Sequence, residues 1–289
     1  VIALGAHVLI TVQRHPYYLD YYNPMLGCAR KAKEVLMVGW GEGLDLAARY
    51  LDEKPNAAQL YVLSWYRPVC FSYFFEGISQ DLPYAGWEDI HFQVALNADY
   101  VVTYHTHQMQ RYAPAQLLDY LAHQQAERSF WLNGVEYVRV YKMREDVWAD
   151  PSYVSVEAMF GEQIQLKGYH LSQYKLVPGE SLVASLYWEA IAEPEERLKV
   201  FVQVLNRDGF LVAQHDGEPV AWLSHTDEWE VGQQIVDRHG VTLQADLPLD
   251  EYKLIVGLYR PSGERLLITQ AGEPLGDALS MGQIKVYPR

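Results

Sequence analysis

The apolar positions of this chain repeat with two different periods. Leu44, Ala47, Ala48 and Leu51 recur on one face at helical spacing, which predicts a helix over 44–54, ended by Pro55-Asn56. Residues 60–65 and 100–104 are short runs rich in Tyr, Val and Leu and read as buried strands. A helix is expected over 68–75, leading to Gly77. Residues 114–125 form an amphipathic helix pattern, with Leu117, Leu118 and Leu121 on one side and Pro114 at the first turn. Residues 130–132 and 135–140 flank Asn133-Gly134, the strongest short hairpin signal. Strands interleaved with helices predict a small α/β sheet with an antiparallel end.

The period changes near 146–151. From Val154 onward there is no helical pattern, only short alternating runs at 164–169, 182–188, 200–205, 211–214, 234–243, 252–259, 266–268 and 284–286. Turn signals such as Pro178-Gly179, Asp208-Gly209 and Asp216-Gly217 separate them. About eight strands at this spacing predict an antiparallel β-sandwich, jelly-roll-like. The expected fold class is therefore α/β plus all-β. A chain of 289 residues exceeds one ordinary domain. The expected division is a membrane-proximal segment at 1–24, an α/β domain at 25–148 and a β-sandwich at 149–289.

Composition narrows the function classes. A formal net charge of −14 disfavours nucleic acid, which needs clustered Lys and Arg, and disfavours docking on anionic lipid. The 22 Tyr and 8 Trp supply core packing and flat surfaces on which sugars stack. Cys28 and Cys70 form no CxxC pair, so a structural zinc site is not expected; a disulfide between them is left open. Cys70, in an apolar aromatic run, reads as a buried packing residue. No complete transmembrane helix is present, since a span needs about 20 apolar residues. The opening at 1–12 is nonetheless almost wholly apolar, and Arg14, Tyr17, Tyr18, Tyr21 and Tyr22 follow it. A greasy run followed by a cation and aromatics matches the interfacial end of a membrane helix, or a buried core segment.

Candidate chemistry is sparse. Gly39-Trp40-Gly41-Glu42-Gly43 precedes a helix, as phosphate-cradling loops do, but matches neither GxGxxG nor a terminal GK[ST]. It reads as a structural turn or as a ligand contact through Trp40 and Glu42. His105 and His107 follow a strand, where α/β sheets place ligands, and stand two apart on one side. They read as a surface loop or as half of a metal site. No GxSxG elbow exists, and Ser64 reads as a packed strand-end serine. In the sandwich, Trp222 and Trp229 with Asp227 form a candidate sugar-stacking platform, in company with Trp188, Tyr169, Tyr187 and Tyr259. The competing reading is that each Trp plugs the core. No cofactor is expected.

Two stretches carry a family resemblance. The run from His15 to Gly27, HPYYLDYYNPMLG, resembles the junction after the last membrane helix of polytopic bacterial glycosyltransferases of family 39. These are similar to dolichyl-phosphate-mannose protein mannosyltransferases. Gly27-Cys28 stands where that junction has a double glycine. Residues 38–51, VGWGEGLDLAARYL, match the opening of the soluble tail, and 201–216, 229–241 and 252–261 resemble C-terminal tails of large membrane proteins from Chloroflexi-type bacteria. The resemblance implies an extracytoplasmic, membrane-associated accessory region whose catalytic acids belong to a membrane part of the same polypeptide. Its implied partners are that membrane part and a glycan or glycosylated acceptor. By itself the chain is then not expected to be an enzyme. The rival expectations are an independent α/β enzyme centred on Glu42, His105 and His107, and a protein-interaction scaffold.

Overall fold

The structure, a computed structural model, describes residues 11–22, 29, 31–32, 38–82, 88–104, 113–143 and 153–288. The expectations placed on 1–10, 23–28, 35–37, 105–112 and 146–151 lie outside the described residues. Two compact units divide the chain: Val1–His91 with Ala98–Arg144, and Phe92–Asn97 with Glu145–Arg289. The fold is α/β plus all-β, as the two periods predict. Among the described residues no helix is long and apolar enough to cross a membrane.

The first unit holds a five-stranded sheet. Its strands are β1 (Tyr61–Ser64), β2 (Ile78–Asp81), β3 (Tyr100–Tyr104), β4 (Arg128–Leu132) and β5 (Val135–Lys142), in the order β2-β1-β3-β5-β4. β1 pairs parallel with β2 and β3, and β5 pairs antiparallel with β3 and β4. Every residue of central β3 is buried, which is why its sequence is a continuous run rather than an alternation. Asn133 and Gly134 take φ of 49° and 77°, the left-handed pair that a tight hairpin turn needs. Helix α1 (Leu44–Asp52) buries Leu44, Ala47, Ala48 and Leu51, the predicted face.

Three elements here differ from expectation, the first being β2, which the sequence pattern does not predict. Residues 68–75 do not form a regular helix. A single π-helical turn spans Arg67–Phe71; Phe71 then packs on Phe75, and Asp52 takes the Glu76 amide at 3.0 Å. Helix α2 (Glu88–Asn97) has no counterpart in the sequence reading. Phe92, Gln93, Ala95, Leu96 and Asn97 are all buried, so its apolar and polar positions make no stripe. The third helix, α3 (Ala115–Ala122), buries Leu117 and Leu121 as predicted.

The second unit is a β-sandwich. One sheet joins β8 (Lys175–Leu176), β10 (Lys199–Leu205), β11 (Leu211–Gly217), β13 (Glu251–Tyr259) and β16 (Leu279–Val286), in the order β11-β10-β13-β16-β8. The other joins β6 (Val154–Phe160), β7 (Ile164–Leu171), β9 (Ser181–Ala190), β12 (Gln234–Thr242), β14 (Ile268–Gln270) and β15 (Glu273–Gly276), in the order β12-β9-β7-β6-β14-β15. Trp188, Phe160, Leu186, Val202, Leu254 and Ile284 belong to one core cluster shared by both sheets. β11 and β12 are therefore edge strands of opposite sheets.

Exposed edges invite foreign pairing unless they are covered. At β12 the outward backbone is paired by side-chain amides. Gln93 donates to the Gly240 carbonyl at 2.7 Å and accepts from the Gly240 amide at 2.8 Å. Asn97 does the same for Arg238, at 2.9 and 3.0 Å. A Cβ on Gly240 would lie 2.3 Å from the Phe92 ring, so only glycine permits this approach.

Candidate functional site

The glycine-rich loop of the first unit is tied to itself. Gly39, Gly41 and Gly43 take φ of 95°, 109° and 83°, which only glycine adopts without strain. That backbone turns Glu42 inward. Its carboxylate accepts from the Trp40 amide at 2.6 Å and from the buried Tyr104 hydroxyl at 3.0 Å. The Gly41 amide in turn donates to the Tyr104 hydroxyl at 3.2 Å. Burial, then the charge of Glu42, raise the Tyr104 pKa. The Trp40 and Gly41 amides are thus engaged, by Glu42 and by Tyr104 of β3. Trp40 itself is exposed. His105 and His107 lie outside the described residues, and among the described residues no group of three or more His, Cys, Asp or Glu is arranged to hold a metal. Ser64 is fully buried and donates to the Trp65 carbonyl, as a packed strand-end serine does. Cys70 is a free thiol and only half-buried, rather than the core residue expected.

The second unit carries a more unusual arrangement, at the edge where β11 and β12 face each other across the sandwich. His215 stands on β11; Asp237 and His239 stand on β12. His239 Nε2 lies 2.7 Å from Asp237 Oδ2, and His239 Nδ1 lies 2.7 Å from His215 Nδ1. Asp237 Oδ1 accepts from the Val220 amide at 2.7 Å. Asp237 and His239 are almost wholly buried. Burial, then the neighbouring His239, press the His215 pKa down to about 3, against the pull of Asp237.

The connection between β11 and β12 is strained at one place. Val220, Ala221 and Trp222 all have positive φ, at 55°, 50° and 68°. Each such non-glycine residue costs about 1–2 kcal/mol, so surrounding bonds must hold the run in place. Asp237 holds its first residue. Further along, Thr226 accepts from the Leu198 amide at 2.8 Å and donates to the Glu196 carbonyl at 2.6 Å. Glu218 gathers Arg197 and His225, each at 2.6 Å. Burial pushes the Glu218 carboxyl up, but those two partners bring it below its ordinary value.

The aromatic residues expected to form a stacking platform separate into two groups. Trp188, Tyr187 and Tyr169 are core residues, and Trp229 is also buried, donating from Nε1 to Ser224 at 2.9 Å. Trp222 is 38% exposed, at the end of the strained run, and Asp227 is exposed on the turn Thr226–Glu228. Trp222 Cζ2 and the His215 ring both lie within 4 Å of the place a Cβ on Gly217 would take. His215, Asp237 and His239 were not singled out from the sequence. The available signal was polar Asp237 and His239 at the same strand parity as core residues Ile235 and Val241. A separate groove of about 590 Å³ lies over β6, β7 and β14, and its acid, Glu157, is ion-paired with Lys167 at 2.8 Å.

No protein-family model and no curated protein matches this chain. Several solved structures resemble about half of it. The C-terminal domain of wzt is 14% identical over 50% of this chain and 87% of its own length, with a TM-score of 0.34. A beta-glucuronidase from glycoside hydrolase family 2 is 12% identical over 52% of this chain and 13% of its own, with a TM-score of 0.25. A beta-glucosidase from Listeria innocua is 12% identical over 46% of this chain and 17% of its own, with a TM-score of 0.26. Similarity at this level assigns neither ligand nor site to this chain.

Proposed function

We propose that this chain is a non-catalytic extracytoplasmic accessory region of a membrane-bound, family 39-like glycosyltransferase, and that its β-sandwich recognises a glycan or glycosylated acceptor at Trp222. The sequence support is the junction at 15–27 and the tail opening at 38–51. The observation that carries the recognition role is the exposed Trp222 indole, held out at the end of three consecutive left-handed residues. Backbone strain of this kind persists where it positions a side chain for use, and an exposed indole presents the flat apolar face on which a pyranose stacks. The Trp222 amide donates to the Glu218 carbonyl at 3.4 Å, and the Glu218 carboxylate in turn holds Arg197 and His225.

The enzyme reading centred on Glu42 finds less support, because that carboxylate is already engaged by Trp40 and Tyr104. The scaffold reading has no comparable observation. A glycan-array screen of the whole chain tests the recognition role. Binding that is lost in Trp222→Ala supports it; binding indifferent to that change, or no binding, refutes it. The membrane link is tested by the full reading frame: several membrane spans preceding Val1 support it, and a natural start at Val1 refutes it.

A further inference from the structure

Val220, Ala221 and Trp222 form one left-handed turn. Its own backbone closes it only loosely: the Leu223 amide donates to the Val220 carbonyl at 3.1 Å, and the Trp222 amide to the Glu218 carbonyl at 3.4 Å. None of the three is glycine, so each opposes the turn through the clash of its own Cβ. Such a run persists only where its surroundings hold it. The side chains of Val220 and Ala221 are buried, Val220 in the sandwich core, and they anchor one side of the turn.

One bond ties the backbone of the turn to a regular element among the described residues. The Val220 amide donates to Asp237 Oδ1 on β12 at 2.7 Å. Asp237 suits that part because it cannot move. It is fully buried, and its other oxygen lies 2.7 Å from His239 Nε2. Its strand pairs with β9 along nine residues, Gln234 to Thr242. The Val220 bond needs only an acceptor oxygen, so it is made whichever of Asp237 and His239 carries the proton between them. We infer that Asp237 is a positioning residue for Trp222: by holding the Val220 amide it keeps the left-handed turn closed and the indole presented, without itself touching a ligand. The inference rests on the glycan-recognition reading and deepens it, by naming the buried group that fixes the place of the exposed ring.

The test uses the whole chain and begins without a ligand. Hydrogen exchange of the Leu223 amide, read by NMR, reports opening of the turn, because its own bond is not made to Asp237. Amides of β9 serve as the control for the fold. Asp237→Ala should speed Leu223 exchange about tenfold, the worth of one hydrogen bond, while β9 stays protected. Asp237→Asn keeps an acceptor oxygen in place and should stay close to the wild type. Ala221→Gly removes a Cβ that opposes the turn, so it should restore part of the protection lost in Asp237→Ala. A carboxyl that merely filled space in the core would leave that second change without effect. Where Asp237→Ala also unprotects β9, Ala221→Gly alone decides: slower Leu223 exchange is expected, and unchanged exchange overturns the inference. Affinity for the methyl pyranosides of glucose, mannose and galactose is then compared across the variants. Binding that depends on Trp222 should fall in Asp237→Ala by the factor seen in exchange and be kept in Asp237→Asn. Leu223 exchange indifferent to Asp237→Ala overturns the inference whatever the ligand does. A loosened turn with undiminished Trp222-dependent binding overturns it too, but leaves the glycan reading standing. Absence of binding by every pyranoside removes both.

Discussion

Moving the solution from about pH 8 to about pH 5 adds protons to the unfolded chain that the folded edge of the sandwich refuses. In the unfolded chain an imidazole titrates near 6.5. In the fold His215 is pressed down to about 3, first by burial and then by His239, with Asp237 opposing. Between those two values the unfolded state holds one more proton than the folded state. Stability therefore falls as pH falls through the window, by up to about 1.4 kcal/mol per pH unit, and is fully present only above it. Integrated to about pH 5, the loss is roughly 2 kcal/mol. Asp216, the next residue on β11, is shifted the other way: burial raises its carboxyl, which favours the folded state as pH falls. It is common to the wild type and His215→Phe, so their difference isolates the imidazole. The assay is urea unfolding at both pH values, followed by hydrogen-exchange mass spectrometry of peptides from β9 and β12, which report the second unit alone. The wild type should lose about 2 kcal/mol more than His215→Phe between the two conditions. Equal losses would show that His215 takes up its proton freely in the fold, and the account of a desolvated imidazole pair would be refuted.

Gln93→Leu keeps the bulk of the side chain but strips both partners from Gly240, and at about 1–3 kcal/mol for each of the two buried groups should destabilise the second unit by roughly 2–6 kcal/mol. The same hydrogen-exchange readout checks this, and unchanged protection of β12 would argue against the amide pairing. Gly39→Ala would put its Cβ 2.3 Å from the hydroxyl oxygen of the fully buried Tyr104, at a φ that L residues avoid. Overpacking and left-handed strain together predict a loss of roughly 2–4 kcal/mol, read as a lower urea midpoint for peptides of β3. Trp188→Ala empties the sandwich core and should cost about 3–5 kcal/mol, seen as early unfolding of β7 and β9 in the same experiment.

Local pattern by itself determined much of this protein. The stripe from Leu44 to Leu51, the Asn133-Gly134 turn and the change of period after Val154 specify an α/β region followed by a β-sandwich, because each is written in neighbouring residues. Two of the elements that escaped did so for opposite reasons. β2 alternates between exposed and half-buried positions and carries no apolar run, whereas α2 is buried on more than one face and shows no stripe. Trp222 was visible as a candidate, but nothing local distinguishes it from Trp229; burial does, and burial depends on which strands become neighbours. The same holds for His215, Asp237 and His239. Residues 215 and 239 lie 24 apart in sequence and on different sheets, and their 2.7 Å contact exists only because two edge strands meet across one core. The sequence alone therefore settled the fold class and many of its elements, since propensity and period act over a few residues. Only the tertiary structure decided which polar groups share a proton and which aromatic reaches the surface, since packing brings those residues together across long stretches of chain.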